Sequence, residues 1–159
     1  MAKKKTTDNQ IANNRKAFFN YEIVEDFEAG MVLLSSEVKS LRKGEVNISD
    51  SYADIRYTES DAPEVWLLNL NISIYKNARK NHEPTRMRKL LLKKREIKSL
   101  IGKLEKKGFS LVPLSLYFNK KGFVKVKMGL GKGKAKHDKR ETIKQRDWDR
   151  EKRREIKNS

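Results

Sequence analysis

The chain has 159 residues, which suits one domain with appended segments, and its net charge of +17 predicts a polyanionic partner, with nucleic acid the leading candidate. It contains no cysteine, which excludes disulfides and thiolate metal sites. The basic N-terminus lacks the apolar core of a signal peptide, and no apolar run approaches the roughly 20 residues of a membrane span. We therefore expect a soluble, cytoplasmic protein with no membrane partner.

The charge is distributed unevenly along the chain. Residues 17–75 hold 11 acidic and 4 basic side chains, whereas residues 76–107 hold 13 basic and 3 acidic ones. Residues 131–159 are basic again, with 12 basic and 6 acidic side chains. This pattern predicts a basic side, an acidic side and a basic tail, an arrangement that would orient the protein on a polyanion.

The first third of the chain predicts a disordered start, one strand and one short helix. Residues 1–13 are polar and lysine-rich, and we expect them to be disordered. Aromatic and β-branched residues predict a strand over 18–24, and the sequence at 28–30 predicts a turn or bulge after it. Residues 35–42 are typical of a short helix with a serine N-cap and with Glu37 in its first turn.

The middle of the chain predicts a hairpin followed by a basic loop. Alternating residues over 51–57 and 64–70 indicate two strands joined by a turn. Proline and asparagine in the basic stretch 76–89 favour a loop. The histidine of this loop, His82, is interpreted as a binding or bystander residue rather than a general base.

The last part of the folded region predicts a helix and a second hairpin. Residues 89–92 fit either a strand or a helix start, and an apolar face over 94–107 indicates an amphipathic helix. Strong alternation over 109–118 and 123–130 predicts a β-hairpin with a short loop. In its second strand Lys125 shares a face with the neighbouring lysine and not with the apolar residues.

These elements predict a mainly β fold with packed helices, of the α+β class, and their number and lengths suit an OB-like closed barrel. We place the barrel at residues 14–130 and a basic tail at residues 131–159, joined by a glycine-rich stretch that loosens the backbone. The tail has too few apolar residues for a core, so we expect it to be disordered when free and helical when bound. Trp148 would be its natural anchor.

A catalytic constellation cannot be assembled from this sequence. Both histidines, His82 and His137, stand among lysines and loop residues, and no set of acidic and histidine residues has metal-ligand spacing. The glycines of 129–133 match no phosphate-binding motif. We therefore predict that the protein is not an enzyme and has no metal site and no cofactor.

Ten short blocks occur in an order that resembles one bacterial family. The blocks are Asn14-Arg15-Lys16-Ala17, Tyr21-x-Ile23, Glu28-Ala29-Gly30, Glu37-Val38-Lys39-Ser40-Leu41-Arg42, Asp50-Ser51-Tyr52, Pro84-Thr85-Arg86-x-Arg88-Lys89-Leu90-Leu91-Leu92, Glu96-Ile97, Pro113-Leu114-x-Leu116-Tyr117, Gly131-Lys132-Gly133-Lys134 and Asp138-Lys139-Arg140. Together they resemble small protein B, the SsrA-binding protein family of bacteria, over about residues 13–157.

The resemblance implies an OB-like barrel that binds the tRNA-like domain of transfer-messenger RNA (tmRNA) as a monomer, one per domain. It implies delivery of this RNA to stalled ribosomes, the ribosome rescue called trans-translation. It also implies that the C-terminal tail enters the 16S rRNA decoding centre and the empty mRNA channel and becomes helical there.

The resemblance also assigns roles to residues. It implies tmRNA contacts for Glu28, Leu91 and Lys125, with Leu91 against a base or ribose and Lys125 against phosphate, and we add the cations of the matching block. The predicted tmRNA contacts are Glu28, Arg86, Arg88, Lys89, Leu91 and Lys125. The predicted ribosome contacts of the tail are Lys132, Lys134, Lys136, His137, Asp138, Lys139, Arg140, Lys144, Arg146 and Trp148.

The chain departs from the family pattern in two places. Lys93 stands where the family usually has a histidine or asparagine that could cap a helix, and lysine is a poor cap. Ala135 comes before Lys136, which shifts the spacing of the basic tail residues.

Two other functions fit the charge. The first is a ribosomal or general tRNA-binding structural protein with the same barrel, which a preference for tmRNA would distinguish. The second is a nuclease or RNA-modifying enzyme, which would change the length or mass of an RNA in the presence of magnesium.

Overall fold

The computed structural model describes residues 9–158, apart from the side chains of Lys136, His137, Asp138, Thr142 and Asn158. This part of the chain forms nine strands and four helices. In chain order they are β1 Gln10–Asn13, α1 Arg15–Asn20, β2 Tyr21–Met31, α2 Ser35–Arg42, β3 Val46–Asn47, β4 Tyr52–Tyr57, β5 Pro63–Leu68, β6 Asn71–Ile72, β7 Arg88–Leu91, α3 Lys94–Leu104, β8 Phe109–Phe118, β9 Val124–Gly133 and α4 Lys136–Asn158.

Seven strands form one antiparallel sheet in the order β1-β8-β4-β5-β7-β2-β9. β8 also pairs with β9, so the pairings return to β8 and join six strands in a ring. β1 adds to β8 outside this ring, and β3 and β6 form a separate two-stranded sheet. The sequence prediction of a mixed, strand-dominated fold is confirmed.

Alternating side chains of these strands fill one main core. In the first half of β9, Val124, Val126 and Met128 are buried, while the lysines between them face outward. Helix α3 adds Ile97 and Leu100 to the same core. The predicted apolar face of this helix therefore packs as expected, although the helix ends at Leu104.

A buried ion pair joins helix α2 to the start of β7. The Glu37 carboxylate accepts hydrogen bonds from the Leu34 backbone N–H at 2.9 Å, from Arg86 Nη2 at 2.5 Å and from Arg88 Nε. The side chains of Glu37 and Arg88 are both completely buried. Arg88 also donates to the carbonyl oxygens of Leu70 at 2.6 Å and Pro84 at 3.1 Å. Arg88 therefore ties four segments of backbone together inside the protein.

Both members of this pair are charged at neutral pH. Burial alone would raise the pKa of Glu37, but the hydrogen bonds from Leu34, Arg86 and Arg88 outweigh it and lower the pKa below its ordinary value of 4.5. Burial lowers the pKa of Arg88, and the hydrogen bond and charge of Glu37 oppose that change.

His82 connects helix α2 to strand β6. Its ring is buried, with Nε2 2.8 Å from the Ile72 carbonyl oxygen and Nδ1 2.9 Å from Ser36 Oγ. Because a carbonyl oxygen can only accept, Nε2 carries the proton. His82 does lie in a loop, as the sequence predicted, but its ring is buried and packs as part of the folded framework.

The N-terminal elements differ from the sequence prediction. Residues 10–13, expected to be disordered, form β1 because they pair with β8. Residues 18–20, expected to begin a strand, belong to α1, since the Asn14 side chain accepts from the Ala17 N–H at 3.2 Å and donates to the Pro113 carbonyl at 2.8 Å.

The predicted turn at residues 28–30 is also wrong. β2 continues through Gly30 to Met31, and its irregularity lies between Ile23 and Glu25. Helix α2 is capped at Leu34 by the carboxylate of Glu37 and not by a serine side chain.

Replacing Glu37 with glutamine should lower the free energy of unfolding by about 3–5 kcal/mol, because Arg88 would keep a buried charge without its counterion. Urea unfolding followed by circular dichroism at pH 7 measures this. Glu59→Gln, in an exposed turn, is the matched control and should change stability by less than about 0.5 kcal/mol.

The pH dependence provides a second readout of the same pair. Since folding lowers the pKa of Glu37, its contribution is present above pH 4.5 and is lost as the pH falls through the lower folded value. The stability curves of wild type and Glu37→Gln should therefore converge toward acid pH. Parallel curves, or a loss at pH 7 below about 1 kcal/mol, would contradict this account.

Candidate nucleic-acid interface

Three of the predicted contact residues lie close together on one outward-facing surface of the sheet. Gly30 on β2 pairs with Leu91 on β7 and with Lys125 on β9, and Lys125 pairs in turn with Tyr117 on β8. Glu28 lies two residues before Gly30 and therefore on the same side of β2. We call these five residues, Glu28, Gly30, Leu91, Tyr117 and Lys125, the outer face.

Gly30 leaves room for its two neighbours on the outer face. A Cβ atom at this position would lie 3.3 Å from Leu91 Cβ and 3.5 Å from Lys125 Nζ. Since the strands on either side of β2 are about 10 Å apart, the glycine lets an apolar and a cationic side chain approach each other over its backbone.

An apolar depression adjoins this point. It has a volume of about 300 Å³, and its lining includes Leu91, Phe123 and Lys125. Leu91 is 53% exposed and Phe123 is 64% exposed. Large apolar side chains grouped beside a lysine are typical of a surface that covers the apolar part of a charged ligand.

The Glu28 carboxylate is held by a tyrosine. It is exposed, and the Tyr117 hydroxyl donates a hydrogen bond to its Oε2 atom. Partial burial of the tyrosine and its bond to Glu28 raise the pKa of Tyr117 well above its usual value, so the hydroxyl stays protonated and donates. Across from Glu28, Lys127 Nζ lies 3.8 Å from a carboxylate oxygen of Asp26.

The three cations near Leu91 that were predicted to contact RNA are already engaged in ion pairs within the protein. Arg88 is completely buried and its guanidinium binds Glu37, so it faces the core and not the outer face. Arg86 is partly exposed and also binds Glu37, while Lys89 lies outward and forms an ion pair with Glu64. Residues 88 and 90 of β7 both face inward, because alternate residues of a strand lie on the same side. A strand assigned to residues 88–91 from the sequence would, by this alternation, have predicted that Arg88 is buried.

The tail begins later than expected. β9 continues to Gly133, three residues beyond the predicted boundary, and its glycines are paired strand residues instead of a loosened linker. A Cβ at Gly131 would lie 2.7 Å from Tyr21 Cβ, so this position requires glycine for close packing of β9 on β2.

Helix α4 carries most of the predicted ribosome contacts. Lys132 lies exposed on β9, and Lys134 Nζ donates to the Phe18 carbonyl at 3.1 Å. On α4, the guanidinium of Arg146 lies 5.8 Å from the centre of the Phe19 ring, and Trp148 is 54% exposed.

The remaining predicted tail contacts lie near the start of α4. Lys139 is partly buried, whereas Arg140 and Lys144 are exposed. The predictions for Lys136, His137 and Asp138 fall on side chains outside the described part of the structure.

The sequence did not single out Gly30 or Tyr117 as site residues. Alternation over 109–118 could have placed Tyr117 on the outward side of β8. Its proximity to Glu28 depends on β9 lying between β8 and β2, and local sequence patterns carry no information on that order.

The outer face has the chemistry of a nucleic-acid contact. Lys125 can neutralise phosphate, Leu91 can cover a base or ribose, and the Glu28 carboxylate can accept hydrogen bonds from base or ribose donors. Among the side chains that the structure describes, no group of three histidine or acidic residues could hold a metal ion. None of the described helices is long and apolar enough to cross a membrane. The class that fold and surface define is a basic, sheet-based nucleic-acid-binding protein.

Comparison with known proteins identifies the family. The family model described as "SmpB protein" matches residues 11–158. The SsrA-binding protein of Wolbachia pipientis wMel is 61% identical over 150 residues, covering 94% of this chain and 97% of the relative. That of Rhizobium meliloti (strain 1021) is 51% identical over 154 residues, covering 96% and 94%.

A solved structure supports the same family assignment. A chain of "tmRNA-SmpB: a journey to the center of the bacterial ribosome" superposes with a TM-score of 0.64 at 45% identity, covering 83% of this chain and 93% of that one. The chain belongs to the SmpB family.

Amide hydrogens of α4 should exchange with solvent much faster than those of α3. Each described side chain of α4 from Arg140 to Lys157 is exposed, whereas α3 buries Ile97 and Leu100 in the core. A helix without a buried face is marginally stable in water. Hydrogen–deuterium exchange of the free protein measures both helices at once. Equal protection of α4 and α3 would show that the tail is a stable part of the fold.

Proposed function

We propose that this protein binds the tRNA-like domain of tmRNA and delivers it to stalled ribosomes in trans-translation. The support is membership of the SmpB family, the name SsrA-binding protein carried by its relatives, and the similarity to a tmRNA-SmpB structure on the bacterial ribosome. The protein acts in the cytoplasm as a monomer, one per tRNA-like domain, without a cofactor, a metal or catalysis of its own. We also propose that the six-stranded ring is an OB-like closed barrel.

The observation that carries the proposal is the convergence of Glu28, Leu91 and Lys125 on the outer face. These residues come from three strands far apart in sequence, and the order and register of those strands bring them together. Lys125 binds phosphate, Leu91 packs against a base or ribose, and Glu28 accepts hydrogen bonds from base or ribose groups. Arg86 and Lys89 border this contact, whereas Arg88 acts from the core by fixing the position of β7.

The outer face binds tmRNA in this proposal, and the tail contacts the ribosome. Helix α4 has 23 residues and is about 35 Å long, so it can extend deep into a channel lined with RNA. Its exposed cations suit phosphate, and Trp148 can stack on an unpaired base. The tail contacts proposed for the decoding centre and mRNA channel are Lys132, Lys134, Lys136, His137, Asp138, Lys139, Arg140, Lys144, Arg146 and Trp148.

Titration into labelled tRNA-like domain, with excess elongator tRNA as competitor, tests this function. Wild type should resist the competitor. Lys125→Ala should bind more weakly, and the slope of log K against log salt should fall by about one because one phosphate contact is lost. Lys98→Ala, an exposed lysine on α3, is the control for loss of charge alone.

A chain ending at Ala135 separates the two tasks. It keeps all of β9 and removes α4, so it should bind the tRNA-like domain like wild type but fail to support rescue of a stalled ribosome in a reconstituted translation assay. If elongator tRNA displaces the wild type equally well, the protein is a general tRNA-binding or ribosomal protein instead.

A bulkier residue at position 30 should weaken RNA binding without a change in charge. Gly30→Val would push Leu91 and Lys125 apart and so distort the outer face. Overpacking of this kind lowers folding stability by about 1–3 kcal/mol, which leaves room for a folded variant with weaker RNA binding. Gly133→Val is the matched control on β9, since a Cβ at that position has no neighbour within 4 Å in the described structure. Filter binding to the tRNA-like domain measures both, and equal affinities would contradict the assigned role of the outer face.

A further inference from the structure

We propose that Tyr117 is a positioning residue that holds the Glu28 carboxylate in the orientation in which it meets RNA. This inference rests on the proposed function and adds a residue to it. Its basis is the hydrogen bond from the Tyr117 hydroxyl to Glu28 Oε2, which joins two strands that are not neighbours.

The geometry of this hydrogen bond is unusual for a sheet. β9 pairs with β2 on one side and with β8 on the other, so Glu28 and Tyr117 lie two strands apart, about 10 Å. Tyr117 lies opposite Lys125, and Glu28 lies opposite Lys127, so the bond crosses β9 diagonally between the two lysines. Only a long side chain can make this connection, and tyrosine does so with two rotatable bonds.

Orientation matters because glutamate is flexible. A free glutamate side chain loses much rotamer freedom when a ligand fixes it, and a rigid partner removes that cost beforehand. Tyr117 uses Oε2 of Glu28, and a carboxylate has about four lone-pair sites, so Oε1 can still accept hydrogen bonds from RNA. Without the hydroxyl, the carboxylate could also turn toward Lys127 and away from the ligand.

The test is a double-mutant cycle on binding to the tRNA-like domain. Tyr117→Phe keeps the ring and its volume and removes only the hydroxyl. We expect it to weaken binding by up to about tenfold, because the freed Glu28 side chain would then lose its rotamer freedom on binding. The salt slope should stay unchanged, because a neutral hydroxyl neutralises no phosphate. Tyr57→Phe, a 60% exposed tyrosine on β4, is the control.

The cycle separates positioning from a general structural effect. Glu28→Gln should weaken binding similarly, and the double variant Glu28→Gln with Tyr117→Phe should bind no more weakly than the weaker single variant. Urea unfolding of Tyr117→Phe should show at most the small loss of stability that corresponds to the net contribution of one hydrogen bond, so that the variant stays folded in the binding assay. Wild-type affinity of Tyr117→Phe, or effects that simply multiply in the double variant, would overturn the proposal.

Failure of the inference is distinguishable from failure of the proposed function. If wild type prefers the tRNA-like domain and Lys125→Ala weakens binding while Tyr117→Phe does not, only the role of Tyr117 is wrong. If wild type shows no such preference, the proposed function is wrong, and the role of Tyr117 is overturned with it.

Discussion

The buried ion pair between Glu37 and Arg88 is the constraint on which the position of β7 depends. Two charges removed from water are costly, and the arrangement is stable only because Glu37 also accepts from Leu34 and Arg86 and Arg88 also donates to two carbonyls. Arg88 begins β7 and Leu91 ends it. A network that fixes one end of a four-residue strand also fixes the residue at the other end, which belongs to the outer face.

The molecule combines a rigid contact surface with a loosely attached one. The outer face lies on paired strands backed by a dense core, so its side chains are held in place before any RNA arrives. The described side chains of helix α4 are exposed from Arg140 to Lys157, and the helix touches the rest of the protein near α1. This division suits a protein that binds one RNA firmly and probes a second, confined site with its tail.

Local sequence patterns predicted the hairpins β4–β5 and β8–β9 and helix α3, because periodic apolar residues report directly on a half-buried strand or helix. They failed for β1, because a four-residue segment next to a lysine-rich stretch becomes a strand only by pairing with β8 and by packing Ile11 and Ala12 against the core. They also failed for Arg88, which resembles a surface cation. Family resemblance supplied Glu28, Leu91 and Lys125. These three residues meet on one face of the sheet, together with Gly30 and Tyr117. Their proximity depends on strand order and register, which no local pattern encodes.

The central claim is that the outer face, and not the basic charge in general, reads the RNA. Chemical-shift mapping of the ¹⁵N-labelled 18.6 kDa protein with unlabelled tRNA-like domain tests it directly. The account predicts that perturbed amides cluster at Gly30, Leu91, Tyr117 and Lys125 while those of α4 stay unchanged. Perturbations concentrated on α4, or spread over the surface lysines on every side of the protein, would contradict it.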